Sequence, residues 1–253
     1  MAVYTEIDSN TLAEFVAQYP LSQVDEFKGI TAGVQNSNFL LTTADAKYIL
    51  TIYESSANGV AAADLPFFLG LMLHLSAQGL SCPVPLARKD GGLISTIKNK
   101  PAALVSFLEG RSVKTPRPEH CRALGAAMAQ MHLAGDGFEL TRPNNHGLGN
   151  WQALFERCHS RADEVSPDLT RAMERELTRL KENWPDNLPT GIIHADLFPD
   201  NVFFLQGDMS GLIDFYFACK DFYAYDLAIA LNAWCFEADA TFNVTKARAL
   251  LSG

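Results

Sequence analysis

The sequence predicts an α+β chain built as a small, antiparallel, β-rich N-terminal lobe followed by a larger helical lobe. Two observations carry this expectation. Residues 20–108 are short apolar stretches separated by Gly, Asn and Pro turns, with one helical interruption. After Glu109-Gly110 the pattern changes to long amphipathic segments of helical spacing. The boundaries read from the chain are a nucleotide-binding lobe over 1–108 and a catalytic and substrate lobe over 109–253, joined by a connector near 105–111.

The elements follow in order. Thr11-Leu-Ala-Glu14 has the spacing of a capping box and predicts a short helix to about Tyr19, stopped by Pro20. Phe27 to Leu41 holds two apolar stretches around a Gly- and Asn-containing turn. Ala46 to Tyr53 reads as a third strand. Apolar residues recur with helical spacing from Ala62 to Ala77, and Gly79 closes that helix. Cys82-Pro-Val-Pro85 is extended by its prolines. Asp90-Gly91-Gly92 predicts a hairpin between Val84–Arg88 and Leu93–Ile97, and Ala102–Leu108 one more strand. Arg117–Leu133, Trp151–Glu164 and Asp168–Asn183 read as helices. Short strands are expected at Gly191–His194, Val202–Leu205 and Gly211–Asp214, then a helix from Tyr223 to about Glu237 and an amphipathic stretch over Thr241–Leu251.

Composition narrows the function classes. With 253 residues and 48% hydrophobic content there is ample material for a core. Twenty basic against 29 acidic residues give a net charge of -9, which argues against nucleic acid or an anionic membrane surface as the partner. It leaves room for a phosphate ligand held through Mg²⁺ by carboxylates. No apolar run reaches the roughly 18 residues of a membrane span, and the acidic start MAVYTEIDSN is unlike a signal peptide. Five scattered cysteines without a C-x-x-C pair read as reduced thiols, so a cytoplasmic location is expected.

The most informative stretch is Ile192-Ile-His-Ala-Asp-Leu-Phe-Pro-Asp-Asn-Val-Phe-Phe204. It sets His194, Asp196 and Asn201 in the frame H-x-D-L-x-x-x-N, and Asp214 follows Asp196 by eighteen positions at the end of an apolar strand. Read singly, the three would pass for a turn residue, a strand start and a surface carboxylate. Together they match the catalytic loop and metal-binding aspartate of protein kinases. Phosphoryl transfer needs a carboxylate to orient and deprotonate an attacking hydroxyl, and oxygen donors to hold Mg²⁺ on the phosphates.

These motifs, with Tyr225-Asp226-Leu-Ala228, resemble the aminoglycoside phosphotransferase and choline kinase superfamily, a small-molecule branch of the protein-kinase-like two-lobed fold. The stretches Gly211-Leu-Ile-Asp-Phe-Tyr-Phe-Ala-Cys219, Gly29-Ile-Thr-Ala-Gly-Val-Gln-Asn-Ser-Asn-Phe39, Asp64-Leu-Pro-Phe-Phe68 and Cys82-Pro-Val-Pro85 narrow the likeness to the kinase-fold type of bacterial homoserine kinase. It covers essentially the whole chain. It implies ATP and Mg²⁺ as cofactors, the small molecule L-homoserine as substrate, and a step of threonine biosynthesis. It implies further that Asp196 is the catalytic base, that His194 belongs to the catalytic set as a brace of the loop, and that Asn201 and Asp214 are metal ligands. Asp226 would steady the loop from behind. Ser37 and Asn38 would lie in the phosphate-covering turn, with Gly29 and Gly33 allowing close backbone approach. Ser106, Phe107 and Leu108 would turn their backbone to the adenine.

Two departures from the kinase pattern stand out. Thr51 occupies the place of the phosphate-pairing lysine, and the helix that supplies its carboxylate partner offers Phe68, or Asp64 four residues earlier. Losing cation and partner together avoids a buried unpaired charge. The phosphates then depend on metal, backbone amides and Lys47 or Lys28. Family members also continue for several helices beyond the segment ending at Gly253. For the zwitterionic acceptor the candidates are Arg142, Asn144, Asn145, Asn150, Trp151, Tyr216, Trp234 and Glu237. A kinase of another hydroxyl metabolite or of an aminoglycoside, and a nucleotide-binding pseudokinase, remain the alternatives.

Overall fold

The computed structural model describes residues 3–31, 35–54 and 61–253. Five antiparallel strands form the first sheet: β1 (Val24–Gly29), β2 (Ser37–Thr43), β3 (Lys47–Ile52), β4 (Ser95–Ile97) and β5 (Lys100–Ser106), in spatial order β1-β2-β3-β5-β4. The pleat sorts side chains to two faces. Phe39, Leu41, Leu50, Ile52, Ala102 and Leu104 pack with Phe15 of helix α1 (Ser9–Val16) and with Tyr19 just beyond its end. Tyr53, Ala103 and Val105 point the other way, into a larger core shared with helix α2 (Leu65–Ala77) and with the second half of the chain.

That second half contains α3 (Pro118–Ala134), α4 (Leu148–Cys158), α5 (Leu169–Asn183), β6 (Thr190–Ile193), β7 (Val202–Leu205), β8 (Asp208–Leu212), β9 (Cys219–Phe222), α6 (Tyr223–Trp234) and α7 (Val244–Leu251). Strands β6 and β9 pair, as do β7 and β8. The two halves meet at Gly110. It adopts φ +128°, and a Cβ there would strike Ser210 and the carbonyl of Phe204, so the chain can pass close against the β7–β8 hairpin. Arg111 then bridges to Phe204.

Several expectations are corrected. Helix α1 is capped by Asp8, whose carboxylate accepts from the Thr11 amide at 2.8 Å, so Thr11 lies inside the helix and is not its cap. Asp90-Gly-Gly makes a tight turn, with the Arg88 amide on the Gly92 carbonyl at 2.8 Å, but no strand pairs across it. The hairpin lies at Lys98-Asn99 instead. Both residues have positive φ (49° and 62°) between the paired Ile97 and Lys100, the two-residue loop that suits strand twist. Val84–Arg88 forms a single bridge, Pro85 to Val105, because its prolines lack the amides a ladder needs. Past Cys158 the predicted helix tightens into a 3-10 segment over His159–Glu164. Strand β9 was not expected: Cys219-Lys-Asp-Phe222 has no apolar alternation and exists through its pairing with β6.

Candidate active site

The β6 strand delivers the loop 194–201 to the edge of the large core, and four attachments hold it there. Buried Asp226, in the first turn of α6, accepts from the backbone amides of His194 (3.1 Å) and Ala195 (2.9 Å). His132 of α3 donates through Nε2 to the same carboxylate at 2.9 Å, with its ring stacked on Tyr223. The Trp234 indole donates to the carbonyl of Leu197 at 2.7 Å. His194, fully buried, donates from Nε2 to the carbonyl of Ile213 at 3.0 Å and so ties the loop to the residue before Asp214. Burial is the main influence on its imidazole and lowers its pKa, so the ring is neutral with the proton on Nε2. His194 is thus a buried ring whose one side-chain hydrogen bond ties the loop to Ile213. Ala195 adopts φ +62°, a conformation that an alanine holds only when its surroundings enforce it.

Asp196, Asn201 and Asp214 come together. The Asn201 amide donates to Asp196 Oδ2 at 2.7 Å and to the Asp196 carbonyl at 2.8 Å, which turns the Asn201 Oδ1 away from that carboxylate. The carbonyl of Asn201 accepts from the Ile213 amide at 2.9 Å. Asp214 follows β8 in the left-handed conformation (φ 64°, ψ 61°). Its side chain is open to solvent, yet it sits deep in the molecule, as a carboxylate on the floor of a cleft does. The protein around it displaces hydration and raises its pKa, against the opposing influence of His194. Asp196 is pushed up to about 6, first by desolvation and second by the charge of Asp214. Two neighbouring carboxylates and the amide oxygen of Asn201 are hard oxygen donors of the kind that suits a divalent cation.

The sheet side of the cleft departs further from expectation. Ser37 and Asn38 are neighbours in β2, so the pleat sends them to opposite faces. Ser37 is fully buried on the α1 side. Its hydroxyl donates to Glu54 at 2.6 Å and accepts from the amides of Tyr4 and Thr5, so it does not face a nucleotide. Asn38 shares the cleft face with Thr51, its cross-strand partner, whose hydroxyl donates to Asn38 Oδ1 at 2.8 Å. Gly33 lies outside the described residues. Ser106 is fastened to the 82–86 segment: its amide donates to the Val84 carbonyl at 2.8 Å and its hydroxyl accepts from the Val84 amide at 2.9 Å. Leu108 is half-buried in the connector.

Three of the acceptor candidates are spent inside the protein. Arg142 pairs with Asp64 at 2.7 Å, donates to the Ala218 carbonyl and lies over the Phe68 ring at 5.0 Å. Trp234 is buried beneath the loop, and Glu237 pairs with Lys246 at 2.8 Å. Sequence reasoning missed the partnership of His132 with Asp226 and that of Tyr53 with Tyr216, whose hydroxyls lie 2.8 Å apart. Neither pair is local in sequence, and no periodicity announces it. A hollow of about 460 Å³ between α4 and α5, lined by Phe155, His159 and Glu174, holds none of the residues above.

A loop that carries Asp196 and Asn201, backed by buried Asp226 and facing an antiparallel sheet, is the architecture of a phosphotransferase class, and the chain belongs to the phosphotransferase enzyme family, whose pattern matches residues 26–253. More particularly, it is 56% identical over its entire length to a homoserine kinase from Allorhizobium ampelinum, covering 78% of that protein. It is 55% identical to homoserine kinases from Sinorhizobium fredii, covering 77%, and from Rhizobium etli, covering 78%. Among solved structures, an amicoumacin kinase in complex with AMP-PNP and Ca²⁺ matches with a TM-score of 0.69 at 17% identity, over 90% of this chain and 69% of that one. A spectinomycin phosphotransferase matches with a TM-score of 0.66 at 13% identity, over 98% of this chain and 80% of that one. These likenesses show the kinase-like α+β fold. Among the described residues no helix is long and apolar enough to cross a membrane.

Proposed function

We propose that the chain is an ATP-dependent kinase that phosphorylates the hydroxyl of L-homoserine, giving O-phospho-L-homoserine and ADP, a step on the route to threonine. What supports this most is the identity of 55–56% to homoserine kinases in alignments that span all 253 residues. The cleft supports it from the chemical side. Asp196 Oδ1, the oxygen not engaged by Asn201, is the proton acceptor for the substrate hydroxyl, and Asn201 holds the carboxylate in orientation. Asn201 Oδ1 and Asp214 are the donors for Mg²⁺ on the ATP phosphates. When bound, that ion would neutralise phosphate charge and polarise the transferred group. The protein's own share is positioning: the four attachments of the 194–201 loop fix the base before the substrate arrives. In this scheme residues 1–108 carry the nucleotide and residues 109–253 the catalytic loop and the acceptor.

The test is ADP release, coupled to a reporter enzyme, over L-homoserine, choline, methylthioribose and kanamycin. Homoserine should be the preferred acceptor by at least tenfold in kcat/KM. Turnover of another acceptor with homoserine inert would overturn the assignment.

A further inference from the structure

Where protein kinases set a lysine on the third strand and a carboxylate on the helix behind it, this chain sets Thr51 and Phe68. The nearby carboxylate, Asp64, is taken by Arg142, so it has no strand cation to serve. Between Thr51 and Phe68 stands Tyr216. Its hydroxyl lies 2.8 Å from that of Tyr53 and beside that of Thr51. Its ring meets Phe68 edge-on at 5.6 Å and Tyr53 edge-on at 5.4 Å. At its other end, Tyr216 follows Asp214 by two residues, inside the short 3-10 turn Phe215–Phe217 that opens at Asp214.

We propose that Tyr216 is a positioning residue for Asp214, a neutral bridge that fastens the Asp214 turn to the end of β3 and to α2 in place of an ion pair. The inference rests on the reading that Asp214 helps hold a metal-bound nucleotide. The physical case is as follows. Asp214 is a non-glycine residue in the left-handed region, so its turn keeps its shape only while neighbours hold it. Tyr216 sits two residues on in the same turn and anchors it at the sheet through the Tyr53 hydroxyl. Hydroxyls paired in an apolar surround are strong and orient each other, and unlike a lysine they carry no desolvation penalty for charge. The aromatic edges of Tyr53 and Phe68 keep the phenol from swinging.

The experiment is calorimetric titration of ADP into Tyr216→Phe, Tyr53→Phe and the double variant, once with Mg²⁺ and once with EDTA. Phenylalanine keeps the ring packing and removes only the hydroxyl. Each single variant should weaken ADP binding about fivefold in Mg²⁺, the scale of one hydrogen bond, and leave binding in EDTA unchanged. The double variant should be no worse than either single one, because the two hydroxyls share one bond. Unchanged Mg²⁺-dependent affinity in Tyr216→Phe, equal losses with and without the metal, or additive losses in the double variant would overturn the inference. Equal ADP affinity of the native protein in Mg²⁺ and in EDTA would instead bring down the reading of Asp214, and the bridge with it.

Discussion

The two walls of the cleft are built on different physics. The 194–201 loop is held by a buried charge: Asp226 takes three hydrogen bonds, and His194, Ala195, Leu197 and Asn201 are bonded to it or to a neighbouring element. The sheet wall opposite is neutral. Thr51 and Asn38 are uncharged and bonded to each other, Tyr53 is buried against Tyr216, and the cations on that face, Lys28 and Lys47, are exposed, the latter beside Glu109 at 3.4 Å. The contrast teaches that the exacting geometry is concentrated in the loop to which we assign the proton transfer. The sheet wall, to which we assign the nucleotide, contributes shape and a few oriented dipoles.

Breaking the loop wall should have the largest effects. Asp196→Ala should lower kcat by at least about a thousandfold while calorimetry shows nucleotide affinity within about twofold of native, since general-base loss of this kind falls in the 10²–10⁴ range. Next, Asp214→Ala should leave the fold intact and weaken binding of MgATP by about a hundredfold, read in the same calorimeter. Asp226→Ala strands two buried amides and the His132 donor. Each stranded group costs about 1–3 kcal/mol, so urea denaturation should show a loss of about 3 kcal/mol together with a fall in kcat.

Protons give a subtler way to sharpen the comparison. Asp196 titrates at about 6 in the folded chain and its ordinary value is 3.8. In the proposed role of base it must be ionised, so kcat/KM should fall tenfold per pH unit below about 6. For stability the sign is opposite to the usual carboxylate. The folded state binds this proton more tightly than the unfolded state does, so the ligand-free protein gains stability from this group as pH falls from 7 towards 4, by about 2 kcal/mol. Asp196→Asn should therefore melt higher than native at pH 7.5 and lose that part of the pH slope, which scanning calorimetry would read. The smallest effect belongs to the sheet wall: Thr51→Val removes one hydrogen bond to Asn38 and should cost about 1 kcal/mol. A loss at Thr51 as large as that at Asp226 would erase the distinction between the walls.

The loop wall was legible in the sequence and most of the sheet wall was not. His194, Asp196, Asn201 and Asp214 lie within twenty-one positions, so a spacing rule can find them. Asp226 could be placed behind them because it too sits in a compact motif. Ser37 and Asn38 were read as a pair facing phosphate, although adjacent strand residues must point apart. The period-2 rule applied to Ser37-Asn-Phe-Leu-Leu41 would have separated them. Arg142 was open to any carboxylate, since nothing in a linear chain states that Asp64, 78 residues earlier, lies beside it. The misplaced hairpin has a local cause: Asp90-Gly-Gly carries the stronger turn composition, while Lys98-Asn99 turns because the registers of β4 and β5 leave two residues between them.

Ala195 draws these threads to one point. A methyl group in a left-handed backbone costs about 1–2 kcal/mol relative to glycine, and the Ala195 amide bonded to Asp226 holds the backbone there. Position 195 is therefore where robustness and speed pull in opposite directions. A lineage pressed by heat would drift there towards glycine, and one pressed by metabolic demand would keep the tension that alanine maintains.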